Sequence, residues 1–399
     1  DAGADYAVEQ FSQDNTWTPP AGEVPLHNDG KVRTTFSVSM SGDDSLETVA
    51  VTGKAYWPAS STTAARSVSI YVDLRPVTSG AFSVISGAGG LFMSNSSKVV
   101  GGDVFINGEI NMSNSSQIGL STNPVNVKVA HQICPNPADA TYPRVCNSGE
   151  NGQPITISNT AHIYGQVKAT NQTDGSGMSN PGLVGGSVPP ETLPTYDRNA
   201  QKAAVAHTIT GAAASCSGST TRTWQANTKI TGNVTVSNKC KVTVEGDVWI
   251  TGSLSISNNQ TELIVADPLG NTRPNIMVDG VAGMTVSNSA ALRTNSSGMG
   301  FGFYTFYSTA GCSPDCSTVT GTDLASSRSV TTILVNTSGD AANSLFYAYW
   351  SQVQLANSGQ IGALIGQTIR LSNSGTITFG TGVSTGNVTW VVKGYRRHY

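Results

Sequence analysis

The sequence is short of charge. Asp, Glu, Lys and Arg make up 12% of its 399 residues, about half the usual share, and the net charge is −3. Without a basic stripe or basic helix, nucleic-acid binding is not expected; Arg396-Arg397-His398-Tyr399 reads as a solvated tail. Nor does any stretch approach the ~20 apolar residues of a membrane span. Catalytic signatures are missing as well. There is no GxGxxG after a strand, no P-loop, no HExxH and no EF-hand loop. The five histidines are isolated. Glycoside chemistry needs carboxylates placed together, yet Asp267, Asp279, Asp315, Asp323 and Asp340 are scattered, mostly beside Gly, Pro or Ser. The expectation is a non-enzyme that needs no metal and no cofactor.

Six cysteines fall into sequential pairs, Cys134/Cys146, Cys216/Cys240 and Cys312/Cys316. None has the CxxC spacing of a zinc site. Local disulfides are the simplest reading, and they imply an oxidising compartment outside the cytoplasm.

Glycine (43 residues), Ser, Thr and Asn take the place of charge. Ser, Thr and Asn compete for backbone hydrogen bonds and disfavour helix interiors, so short strands with tight turns are expected. One helix is read over residues 1–15, where Ala4, Ala7, Val8 and Phe11 recur at i, i+3, i+4 and i+7. It reads as the lower half of a longer helix whose apolar upper half is missing. Three alternating stripes follow: Phe36, Val38 and Met40; Val49, Val51, Ala55 and Trp57; Val68, Ile70, Val72 and Leu74. A helix on an antiparallel meander is the expected first domain, residues 1–80.

From about residue 85 an apolar residue, then Ser or Ala, then Asn recurs. The copies end at Asn95, Asn114, Asn159, Asn238, Asn258, Asn288, Asn357 and Asn373. A longer duplication aligns Val99–Gly108 with Thr243–Gly252 and repeats Gly-Asp-Val-aromatic-Ile-x-Gly. This pattern predicts a right-handed parallel β-helix over 81–399, with stapled insertions at 131–154, 172–240 and 298–325. Asn tolerates the left-handed conformation a sharp corner needs, and stacked amides can bond one another. The eight asparagines are therefore read as structural corners. The richest binding candidate is Phe301, Phe303, Tyr304, Phe306 and Tyr307, either an exposed contact surface or a satellite core packed under a loop.

The opening Asp1-Ala2-Gly3-Ala4-Asp5-Tyr6-Ala7-Val8-Glu9-Gln10 and the strand Thr48–Trp57 resemble the region after the membrane helix of type IV pilin-like proteins. The runs Leu345–Trp350 and Leu355–Leu364, and the strand bearing Trp390, are similar to the closing coils of large minor pilins of the PilX-type pilus-assembly group. That resemblance implies a minor or tip pilin at the cell surface. Its partners would be other pilin subunits, met through the N-terminal helix, and an unidentified surface or host receptor, which could be a glycan. The alternatives are a secreted carbohydrate-active enzyme and a trimeric fibre.

Overall fold

A computed structural model of the chain describes residues 21–43, 46–78, 82–131, 153–190, 193–194, 196–308, 327–337, 340–357, 360–379 and 388–398. The expected helix over 1–15 lies outside them, as do Cys134, Cys146, Cys312 and Cys316. The chain divides into two units, residues 1–80 with 386–399, and residues 81–385. The last strand, expected to close the second domain, therefore belongs to the first. No helix among the described residues is long and apolar enough to cross a membrane.

The first unit is an antiparallel five-stranded sheet. Its strands, in spatial order, are Val24–Asn28, Arg33–Asp43, Leu46–Tyr56, Arg66–Thr78 and Val388–His398. Alternation places Val38 opposite Val51 and Val51 opposite Ile70, and all three are buried together with Phe36. Trp57 leaves its expected stripe and is 72% exposed. Tyr56 is buried instead, with Arg33 lying 4.1 Å over its ring and its hydroxyl donating to Glu23. Glu23 also accepts from Lys54 (2.8 Å) and Thr35 (2.8 Å). Lys54 foremost, then Tyr56 and Thr35, hold its carboxyl down at about 2.

The second unit is built of parallel strands. Phe82–Met93 is long enough to serve two neighbours, pairing Asp103–Ile106 with its first part and Ile110–Met112 with its second. His162–Ala169 does the same, meeting Gln117–Ile118 and then Val127–Val129. It bends at Gly165, whose φ is +138°, and a β-carbon there would lie 1.9 Å from the Val125 carbonyl oxygen. Because long strands bridge neighbours in this way, the pairings return on themselves. Phe82–Met93, Asp103–Ile106, Val127–Val129, His162–Ala169, Gln117–Ile118, Lys98–Val100, Thr376–Thr378 and Gln360–Leu371 form a closed ring of eight parallel strands, the last pairing the first.

Two rows of parallel strands continue from this ring and meet on Asp340–Ala356. One row is His207–Thr210, Thr228–Thr231, Val248–Ile250, Asn275–Val278 and Gly302–Thr305. The other is Val234–Ser237, Leu254–Ser257, Met284–Ser287 and Thr331–Asn336. A separate four-stranded parallel sheet comprises Thr221–Trp224, Lys241–Val244, Glu262–Val265 and Ala291–Arg293. The inward residues of all these strands make one core; Val104, Ile106, Val248, Ile250, Ile276 and Phe303 are each 0% exposed. Burying each such side chain contributes about 1.5–3 kcal/mol.

These findings correct the expected fold class. The described residues are almost entirely β. Their helices are the short Arg198–Ala203 and Gly211–Ala214, with one 3₁₀ turn, and none of these belongs to the antiparallel unit. Among the described residues the first module, expected as α+β, is a β sheet alone. The right-handed parallel β-helix is replaced by a closed parallel ring with extensions. Its strands do not follow chain order: Gln360–Leu371 and Thr376–Thr378 lie against Phe82–Met93 and Lys98–Val100. Chain order misleads because a parallel pairing requires matching register and a matching apolar face, whatever the sequence separation. Residues 207–240, expected as part of an insertion, form regular strands of the framework.

Candidate functional site

Two surfaces of the second unit concentrate polar chemistry, a ladder of asparagines and a charged groove; a third feature is an aromatic face beneath a strap. The eight expected corner asparagines all have positive φ, from 50° to 76°. Their amides join neighbouring layers. Asn159 donates to Asn114 (3.1 Å), Asn114 to Asn95 (2.5 Å), and Asn95 to Asn373 (3.1 Å). Further along, Asn357 donates to Asn336, Asn288 to Asn258 (3.4 Å), Asn258 to Asn238 (2.6 Å), and Asn238 to the Ser217 hydroxyl (3.0 Å). Asn336 and Ser217 lack the Ser-Asn frame and were missed in the sequence. The duplicated aspartates also have matching structural jobs. Asp103 accepts from the backbone N–H of Asn126 (3.1 Å), and Asp247 from that of Asn275 (2.8 Å). Burial raises the Asp247 carboxyl above its ordinary range, against the lowering effect of Asn275.

The aromatic segment is placed by strand alternation. Phe301 and Phe303 are 0% exposed and join the inner core. Tyr304 (8%) and Phe306 (4%) join a second cluster, with Phe105, Met277 and Tyr347. These are outward positions, and the described residues of 188–202 run over them as a strap. Val188 exchanges hydrogen bonds with Thr170, and the Tyr347 hydroxyl donates to the Pro194 carbonyl. Tyr196 stacks on Tyr304 with ring centroids 3.9 Å apart. Gln201 donates to the carbonyls of Val248 and Asn275. Asp279 holds Lys202 at 3.0 Å and Arg198 at 3.6 Å, and accepts from the Trp249 indole at 2.9 Å. Burial raises the Tyr304 hydroxyl to about 12. Four of the five aromatic candidates thus present no exposed surface. Tyr307 is partly exposed.

The groove lies along the start of the four-stranded sheet and encloses about 450 Å³. Successive strands place Thr221, Lys241, Glu262 and Ala291 in one register, so the long Lys241 and Glu262 stand side by side between the short Thr221 and Ala291. Glu262 binds Lys241 at 2.8 Å and Arg293 at 3.1 Å, and these cations, Lys241 foremost, lower its carboxyl. Lys239 lines the same space. Between the two lysines, Cys240 is fully buried and joined to Cys216, with the α-carbons 6.0 Å apart. A rigid backbone thereby carries two cations into one concavity. The cysteine spacing marked this place in the sequence, whereas the register that brings Arg293 and Glu262 beside it left no sequence signal.

No group of three or more His, Cys, Asp or Glu suited to a metal occurs among the described residues. No family profile matches the chain, and no curated protein does. Among solved structures, the competence-associated pilin ComZ from Thermus thermophilus aligns over 97% of this chain and 90% of its own. The TM-score is 0.32 and the identity 10%, a likeness too slight to establish fold or function.

Proposed function

We propose that this chain is a structural and adhesive subunit of a type IV pilus-like filament, displayed outside the cell as a minor or tip pilin. The observation that carries this reading is topological. Val388–His398 returns to pair with Arg66–Thr78, so the whole second unit is an insertion in the chain of a small antiparallel carrier sheet. Such a plan suits a carrier that assembles and a head that is presented. The pilin-like sequence at residues 1–10 and 48–57 supports the same reading. So does the disulfide Cys216–Cys240, which persists in an oxidising compartment. The reading assigns the chain no catalysis: its polar side chains serve corners, layer contacts and the groove.

The experiment is deletion of the gene with complementation, scored by filament number and by attachment to surfaces. Loss of attachment restored by the full-length gene is the expected result. Unchanged filaments together with unchanged attachment would refute the proposal.

A further inference from the structure

We propose that the groove bounded by Lys239, Lys241 and Arg293 binds an acidic saccharide, a hydroxyl-rich chain bearing carboxylates. Only its biological setting rests on the display reading above. Three cations and one carboxylate, Glu262, give the lining a net charge of +2. The carboxylate is already engaged by Lys241 and Arg293. Its effect is to hold those side chains in place, with ligand-facing positive charge to spare.

Lys239 is the telling residue. It follows the corner asparagine Asn238 and has φ +72°. At three equivalent corners the residue after the asparagine is Ser96, Ser289 or Ser374, with φ 62°, 62° and 68°. A small hydroxyl residue therefore satisfies this corner elsewhere in the fold. At this one corner a long cation stands in a left-handed conformation that side chains with a β-carbon disfavour. Its ammonium makes no ion pair among the described residues. Strained positions kept where an easier residue would serve point to function.

The remaining chemistry selects the ligand. A volume of about 450 Å³ is that of a small-molecule site and exceeds what a single inorganic anion needs. Gln260 and Ser289 supply amide and hydroxyl groups for sugar hydroxyls. Among the described residues no aromatic ring lines the groove. It therefore lacks the stacking platform on which single-stranded nucleic acid depends, and recognition falls to charge and hydrogen bonding. The Cys216–Cys240 bridge pre-organises both lysines, which reduces the ordering cost of binding.

The test is calorimetric titration of the 399-residue chain with tetragalacturonate, maltotetraose and inorganic phosphate in parallel. Saturable binding of tetragalacturonate alone is expected, weakened at least tenfold in Lys239→Ser and by raising the salt to 0.5 M. Lys239→Ser places at this corner the residue its counterparts already carry, so it should melt with the parent; Arg293→Gln is the second variant and should weaken binding likewise. Absence of tetragalacturonate binding, equal affinity in both variants, or phosphate binding as tightly would overturn the proposal. Failure of the chain to enter filaments would count against the pilus reading and leave this result standing.

Discussion

Replacing Asn114 by Ala and by Gly separates the two roles assigned to the asparagine ladder. Asn114 donates to Asn95 at 2.5 Å, accepts from Asn159 at 3.1 Å and has φ +58°. Either variant loses both amide contacts. At an exposed site these are together worth about 1 kcal/mol. Ala must also hold a left-handed backbone, at ~1.5 kcal/mol. Gly adopts that conformation freely but gains freedom in the unfolded chain, which costs ~0.5 kcal/mol. The expected losses are therefore about 2.5 kcal/mol for Ala and about 1.5 kcal/mol for Gly, a gap of ~1 kcal/mol. Urea unfolding followed by circular dichroism measures both, provided the slopes agree. Ala and Gly losses equal to within ~0.3 kcal/mol would refute the backbone part of the reasoning. Losses below ~0.5 kcal/mol in both would refute the ladder itself.

Other expectations concern separate parts of the molecule. Asp279→Asn should loosen the strap, because two largely buried cations lose their counter-charge; a cost on the order of 3 kcal/mol is expected, and limited proteolysis should cut faster within 184–206. Breaking Cys216–Cys240 by paired serine substitution opens a link spanning 24 residues, so stability should fall by about 3 kcal/mol in urea titrations. In the antiparallel unit the Glu23 carboxyl sits at about 2, below the ordinary 4.5. Its contribution is complete above the ordinary value and is lost as pH falls towards 2. Glu23→Gln should flatten acid unfolding of that unit in this window, and an unchanged acid profile would contradict the assignment.

Much of the local structure was legible in the sequence and little of the global arrangement was. Asn95 through Asn373 could be read as corners because a left-handed turn favours Asn or Gly wherever it lies. The apolar frame around them marked the inward positions, since period-2 alternation survives in strands of only three or four residues. Layer order was not legible. Nothing in Gln360–Leu371 announces that its partner is Phe82–Met93, because every parallel strand offers a similar ladder of donors and acceptors. The strap hid for a related reason: its Pro-rich start at 188–194 reads as a loop and 196–207 as a short helix, while its anchors are single contacts to distant strands. That cover also decides between the two readings of Tyr304 and Phe306: they pack beneath it as a core and do not form a contact surface. In the groove, Lys239 was visible only as a charge beside a cysteine. Its departure from the serine found at matching corners emerges from the backbone conformation.

The most direct test of the display reading is mass spectrometry of sheared, purified filaments from cells expressing the full-length gene. The account predicts the chain in the filament fraction at far below the abundance of the main subunit, and released with the filaments on shearing. Its absence from filaments, with all of it recovered free in the medium or inside the cell, would contradict the account.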